Sequence, residues 1–105
     1  MCSIFKKIRN FSEEITLNIA IGASSDYLND YILHLKESYK LIIRLSNSIM
    51  IIKSLNYFND EIVDSFNSDL TNLATKIVRL ISVLENQNCA LHPAFAYSFP
   101  PYVLN

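Results

Sequence analysis

The chain has 105 residues, half of them hydrophobic and 18% charged, with one Gly and three Pro. This length allows one domain at most, the hydrophobic content argues against disorder, and the shortage of Gly and Pro argues against an all-β fold, which needs many tight turns. A formal net charge of −1 gives no global attraction to nucleic acid or to an acidic membrane.

A first helix is predicted over about residues 3–21, where apolar residues recur at the spacing of one helical face. The face is formed by Ile4, Ile8, Phe11, Ile15 and Ile19. Gly22 follows this face, at the position where a helix often ends in the left-handed conformation that Gly tolerates. We therefore expect Gly22 to be the C-cap of the first helix.

A second, long helix is predicted over about residues 25–55, with Ser24 or Ser25 as N-cap and Asp26 in the first turn. Its central face repeats every seven residues at Leu28, Leu35, Ile42 and Ile49. Flanking apolar residues widen this face to an arc of roughly 200°. One neighbouring helix cannot cover such an arc, so we expect at least two.

The length of this helix predicts an elongated molecule. A helix of that size is about 43 Å long, whereas a compact domain of about 100 residues has a radius of gyration near 13 Å. An elongated chain encloses a core with difficulty. We therefore expect a partner, and a second copy of the chain is the simplest one.

A third helix is predicted over about residues 59–86. Asn59 is a favourable N-cap, and Phe58 and Val63 fit a hydrophobic staple across it. The apolar face of this helix is formed by Val63, Phe66, Leu70, Leu73, Ile77, Leu80 and Leu84. The short connection before it indicates that the second and third helices fold back as an antiparallel hairpin.

The predicted fold is all-α: a short N-terminal helix, a long antiparallel helical hairpin and an extended C-terminal tail. We expect a helical domain over residues 1–86 and a tail over 87–105. Two hairpins from two chains would form a four-helix bundle, with the first helix across it. The predicted dimer interface comprises Leu28, Leu35, Ile42, Ile49, Leu70 and Ile77.

The tail differs in composition from the helices. Its three Pro residues, Pro93, Pro100 and Pro101, forbid a long helix. Its aromatic residues, Phe95, Tyr97 and Phe99, alternate with smaller ones and would share one side of an extended chain. The tail either packs its aromatic side chains against the helices or docks on a protein partner.

A basic row on the second helix is the only charge pattern that suggests a ligand. Lys36, Lys40, Arg44 and Asn47 lie within about 80° of one another, opposite the apolar arc. Cations and amides in a row suit a phosphate backbone, including that of double-stranded RNA. The alternative interpretation is an ordinary solvated helix face, which also requires polar side chains.

The order of short helix, Gly22, long helix and third helix, over about residues 3–70, resembles the layout of the nodavirus RNA-silencing suppressors. The resemblance is one of layout alone. It implies a small helical dimer that binds double-stranded RNA, and in this chain the basic row would be the binding surface.

The sequence shows no catalytic motif and no full set of metal ligands. His34 and Glu37 are three residues apart on a helix, but the further ligands of a bundle metal site are missing. We therefore predict a non-enzymatic interaction protein without a cofactor or metal.

The cations at Lys6 and Lys7 follow a short apolar segment, the reverse of a signal peptide, and no apolar run is long enough to span a membrane. These features favour a cytoplasmic protein, and the abundance of Ile, Asn, Ser, Lys and Tyr, whose codons are AT-rich, hints at a virus or mobile element.

Overall fold

The structure, a computed structural model, describes residues 2–90. These residues form three helices and no strand: α1 Cys2–Ala23, α2 Leu28–Ser54 and α3 Asp60–Ala90. The all-α prediction is confirmed, and α3 continues four residues beyond the predicted end at residue 86. The extended tail predicted for the rest of the chain lies outside the described residues.

The central element is α2, because α1 and α3 both pack against it. The prediction that this helix needs at least two neighbours is confirmed, but both neighbours belong to the same chain. The side chains that meet in the core come from all three helices. They are Ile15, Ile32, Leu35, Leu41, Ile42, Leu45, Ile49, Val63, Leu70, Ile77, Ile81 and Leu84.

The helices alternate in direction along the chain. Three side-chain contacts between α2 and α3 follow an antiparallel register: Lys36 with Glu85, Ser46 with Asn67 and Lys53 with Asp64. The predicted hairpin is therefore present. The molecule is elongated, with a radius of gyration of 16.9 Å and extents of 56 × 23 × 15 Å.

A close approach of α1 to α2 explains the only Gly of the chain. Gly22 lies within α1 and has no positive φ angle, so the prediction that it forms a left-handed C-cap is wrong. A Cβ atom at this position would lie 2.8 Å from the Cβ of His34 and 3.0 Å from Cδ1 of Tyr31. A larger residue at this position would force α1 and α2 to shift relative to each other.

Ser38 lies in the same interface and is fully buried. Its hydroxyl donates to the carbonyl oxygen of His34 at 3.0 Å and contacts that of Ile15 at 3.4 Å. A small side chain that bonds to backbone on both helices keeps them close without leaving a buried hydroxyl unpaired.

The start of α2 also differs from the prediction. The helix begins at Leu28 and its N-cap is Tyr27, which makes no side-chain cap hydrogen bond. Ser25 instead accepts a hydrogen bond from the backbone N–H of Tyr27 at 3.2 Å, which stabilises a turn before the helix. The acidic residue of the first turn is consequently Asp30 and not Asp26.

The connection from α2 to α3 contains the left-handed residue that was expected at Gly22. Asn56 has a φ of 56°, a conformation that Asn tolerates better than most residues with a side chain. Asn59 then caps α3, since its Oδ1 accepts a hydrogen bond from the backbone N–H of Glu61 at 2.8 Å. The predicted N-cap of α3 is confirmed.

Replacing Gly22 with Ala is expected to destabilise the protein by about 1–2 kcal/mol. Overpacking a well-filled contact costs ~1–3 kcal/mol, while Ala in place of a helical Gly returns up to ~1 kcal/mol. Chemical denaturation measures the difference. Glu14→Ala, an exposed change on the same helix, should stay within about 0.5 kcal/mol of the original protein. A more stable Gly22→Ala variant would contradict the close approach.

Candidate functional site

The six residues predicted to form a dimer interface lie at or beside the core of a single chain. The buried members are Leu35, Ile42, Ile49, Leu70 and Ile77, and the half-buried one is Leu28. These side chains already have neighbours in their own chain, so in this conformation they offer little surface to a second copy. A four-helix bundle of two hairpins would require them to exchange those neighbours, and it stays a prediction.

The basic row lies on the side of α2 that faces away from its buried arc. Lys36, Lys40, Arg44 and Asn47 are all exposed. Lys36 pairs with Glu85 of α3 at 3.4 Å, so part of its charge is already compensated. Lys40 and Arg44 form no ion pair with any residue between 2 and 90.

Exposed apolar and acidic side chains lie among these cations. Leu33, Ile43 and Ile51 are exposed on the same side of α2, and Glu37 is exposed near Lys40. The open surface of α2 is therefore mixed in character. Its positive charge is concentrated at Lys40 and Arg44.

A second surface, which the sequence analysis did not predict, lies where α1 begins and α2 turns into α3. Eight apolar side chains line a cavity of about 190 Å³ there. Phe5 and Phe58 meet edge to face, with ring centroids 5.9 Å apart and an interplanar angle of 89°, an arrangement that aromatic pairs favour. The exposed members of this surface, Phe5, Phe58, Ile62 and Phe66, are called the end patch below.

The sequence does contain a signal for the end patch. Phe58, Ile62 and Phe66 are spaced four residues apart, which places them on one side of a helix and its N-terminal flank. The heptad pattern assigns Phe66 to the buried seam, yet Phe66 is exposed. The spacing shows that the three residues share one face, but it does not show that α2 leaves this face uncovered.

Charges of opposite sign flank the two sides of the end patch. On α3, Glu61 and Asp69 border a shallow depression together with Ile62 and Phe66. On α1, Arg9 lies one helical turn from Phe5 and is exposed, as is Lys6. The patch therefore has a basic rim on α1 and an acidic rim on α3, and Glu13 lies one turn beyond the basic rim.

An ion pair joins the end of α2 to the start of α3 near the end patch. Nζ of Lys53 donates to Oδ1 of Asp64 at 2.7 Å. This hydrogen bond and the negative charge of Asp64 raise the pKa of Lys53 above its usual value, and Asp60 adds to the effect. Since the charged ammonium is favoured in the folded chain, the pair stabilises the hairpin near its turn.

The structure groups no metal-binding cluster of three or more His, Cys, Asp or Glu side chains within residues 2–90. His34 has a different neighbour: its Nδ1 lies 2.9 Å from Oδ1 of Asn18 on α1. That contact joins α1 to α2 close to Gly22. The local role of His34 is therefore structural.

Three comparisons with known proteins give no relative. The chain matches no protein-family model, no curated protein and no solved structure. The structure also shows, within its described part, no helix with the length and apolar character needed to cross a membrane.

Replacing Lys53 with Met is expected to lower the free energy of unfolding at neutral pH. A group whose pKa is raised by folding contributes stability below its unfolded pKa of about 10.4, and this contribution is lost as pH rises through the folded pKa. The difference between the two proteins should therefore shrink above pH ~10.4. Asp64→Asn should reproduce the neutral-pH loss, and denaturation curves at several pH values measure both. A difference independent of pH would contradict the role of the ion pair.

Proposed function

We propose that the protein is a non-enzymatic homodimeric interaction protein whose copies associate through the end patch. The proposal is based on an exposed cluster of three Phe side chains and one Ile. The cluster lies at one end of the molecule, and its members are not part of the buried core. Contiguous apolar surface of this kind commonly marks an interaction site. Aromatic residues are also enriched among those that dominate binding energy.

The rim charges favour a second copy as the occupant of the end patch. In a two-fold symmetric dimer, one patch meets the same patch of the other chain, and when the two-fold axis runs between the two rims each rim faces the opposite rim of its partner. The α1 rim with Lys6 and Arg9 would then face the acidic α3 rim with Glu61 and Asp69. The surface is thus electrostatically complementary to itself, which favours correct docking over other partners.

Replacing Ile62 with Asn should weaken self-association by about thirty-fold or more, the size typical of losing a central interface residue. The substitution introduces no charge, so the charged residues at the rims of the patch are unchanged. Both chains carry it, so a symmetric interface contains it twice. Leu33→Asn is the matched control, because Leu33 and Ile62 are each 63% exposed on a helix. Sedimentation velocity at low micromolar concentration compares both variants with the original protein.

The expected outcome is a dimer for the original protein and for Leu33→Asn, and a monomer for Ile62→Asn with unchanged helix content. A stable monomer of the original protein would defeat the proposal, as would dissociation of the control alone. Charge reversal tests the orientation: Arg9→Glu should weaken the dimer, and adding Glu61→Arg should restore it.

Double-stranded RNA binding is a second candidate function, favoured by the exposure of Lys40, Arg44 and Asn47 on the open side of α2. Two cations without an acidic partner in the described part of the chain are available to phosphate groups there. The exposed Leu33 and Ile51 among them contribute nothing to phosphate binding. The proposal therefore depends on few charges, and a strong salt dependence is expected.

Under this second proposal, replacing both Lys40 and Arg44 with Ala should abolish the electrophoretic mobility shift of a short RNA duplex at low salt. Lys76→Ala with Arg79→Ala is the matched control, since it removes the same charge from exposed positions of α3. In titrations over a range of salt concentrations, each lost phosphate contact should reduce the salt slope by about one. No shift with the original protein at low salt would end this proposal.

A further inference from the structure

The start of α1 and the second half of α2 enclose a polar cleft that is separate from the end patch. Its volume is about 380 Å³. Lys7 of α1 and Arg44 of α2 both line the cleft, together with the amide of Asn47 and the hydroxyl-bearing Ser3 and Ser48. Two cations from different helices and three neutral polar side chains are thus gathered around one volume.

The charge of the cleft has no internal compensation. Among the described residues, no Asp or Glu lines it, and neither Lys7 nor Arg44 forms an ion pair with a residue between 2 and 90. Lys36 and Lys53 provide the contrast, because each of them pairs with a carboxylate of α3. An anion in the cleft would therefore meet two uncompensated positive charges.

Ser48 is a second, independent indication of a ligand. It is 6% exposed and lines the cleft, and its hydroxyl makes no hydrogen bond to any residue in the described part of the chain. The described residues contain no buried polar side-chain atom without a partner, so the Ser48 hydroxyl is open to the cleft and, unlike that of Ser38, is free to donate to a ligand oxygen there.

Three apolar side chains also line the cleft and are called its apolar wall. They are Ile4 and Phe11 of α1 and Ile51 of α2. A bare inorganic anion would leave this wall without contacts, whereas an organic group attached to the anion would cover it. The combination of two cations, hydroxyl donors and an apolar wall suits a phosphate monoester, whose phosphate carries up to two negative charges and whose organic part is free to pack against Phe11.

We propose that this cleft binds a phosphate monoester. Lys7 and Arg44 neutralise the phosphate, Asn47, Ser3 and Ser48 donate hydrogen bonds to its oxygens, and Ile4, Phe11 and Ile51 contact the organic group. The site depends neither on dimerisation nor on Lys40, which lies outside the cleft.

Calorimetric titration with phenyl phosphate and with inorganic phosphate tests the proposal on the full chain at low ionic strength. Phenyl phosphate should bind more tightly, because its ring adds contacts to the apolar wall. Lys7→Ala and Arg44→Ala should each weaken phenyl phosphate binding by about ten-fold or more, as expected for losing a charged hydrogen bond. Ser48→Ala should weaken binding several-fold without changing any charge.

Matched controls separate the cleft from general electrostatic attraction. Lys76→Ala removes one positive charge from an exposed position of α3 and should leave the affinity unchanged. Ser82→Ala, at an exposed position of α3, is the control for Ser48→Ala. Equal losses in Lys76→Ala and in Lys7→Ala would overturn the site.

The remaining outcomes also decide the proposal. Absence of saturable binding to either probe would overturn it, and equal affinity for both probes would overturn the assignment to a monoester. A short single-stranded RNA with a 5′-phosphate, compared with the same RNA carrying a 5′-hydroxyl, distinguishes a nucleic-acid end from a small ligand. Competition with phenyl phosphate by the first RNA alone would place an RNA terminus in the cleft, which supports the same monoester chemistry.

Discussion

The fold depends on the burial of one wide apolar arc, the one on α2. Seven aliphatic residues and two serines of α2 are buried. One neighbouring helix cannot cover them all, and α1 and α3 supply the two surfaces required. Each fully buried aliphatic side chain contributes ~1.5–3 kcal/mol, so neither flanking helix can leave without exposing a large part of this stabilisation. The inference from arc width to two neighbours was correct. The further inference to a second copy was not required, because a periodic pattern shows how much surface a helix must bury and not which chain covers it.

The sequence predicts the helices well because their apolar faces are long and regular. It fails where a local signal competes with a tertiary contact. Gly22 resembles a C-cap when read locally, but its lack of a side chain serves the contact with Tyr31 and His34. Leu41 and Ile43 both lie at the margin of the α2 arc, yet Leu41 is buried and Ile43 is exposed. Only the positions of α1 and α3 around α2 decide between them.

The candidate surfaces also differ in how far the sequence predicts them. Exposure of the basic row follows from its position opposite the apolar arc, so it could be predicted from the helical period alone. The end patch and the polar cleft each combine residues from two or three helices. Phe5 and Phe58 are distant in sequence, as are Lys7 and Arg44, and no spacing rule joins them. Both surfaces also depend on the close packing of α1 on α2, which Gly22 and Ser38 permit and which a sequence pattern does not report.

The alternating direction of the helices explains why the charge pattern of the whole chain is misleading. Because α1 and α3 both run antiparallel to α2, their N-terminal ends lie at the same end of the molecule. The start of α1 is basic, with Lys6, Lys7 and Arg9, and the start of α3 is acidic, with Asp60, Glu61, Asp64 and Asp69. A net charge of −1 averages these segments, although Arg9 of α1 and the carboxylates Glu61 and Asp69 of α3 lie on opposite sides of the end patch. The same arrangement directs Lys7 towards Arg44 and away from the acidic start of α3, so that a nearly neutral chain retains a cleft with two uncompensated cations.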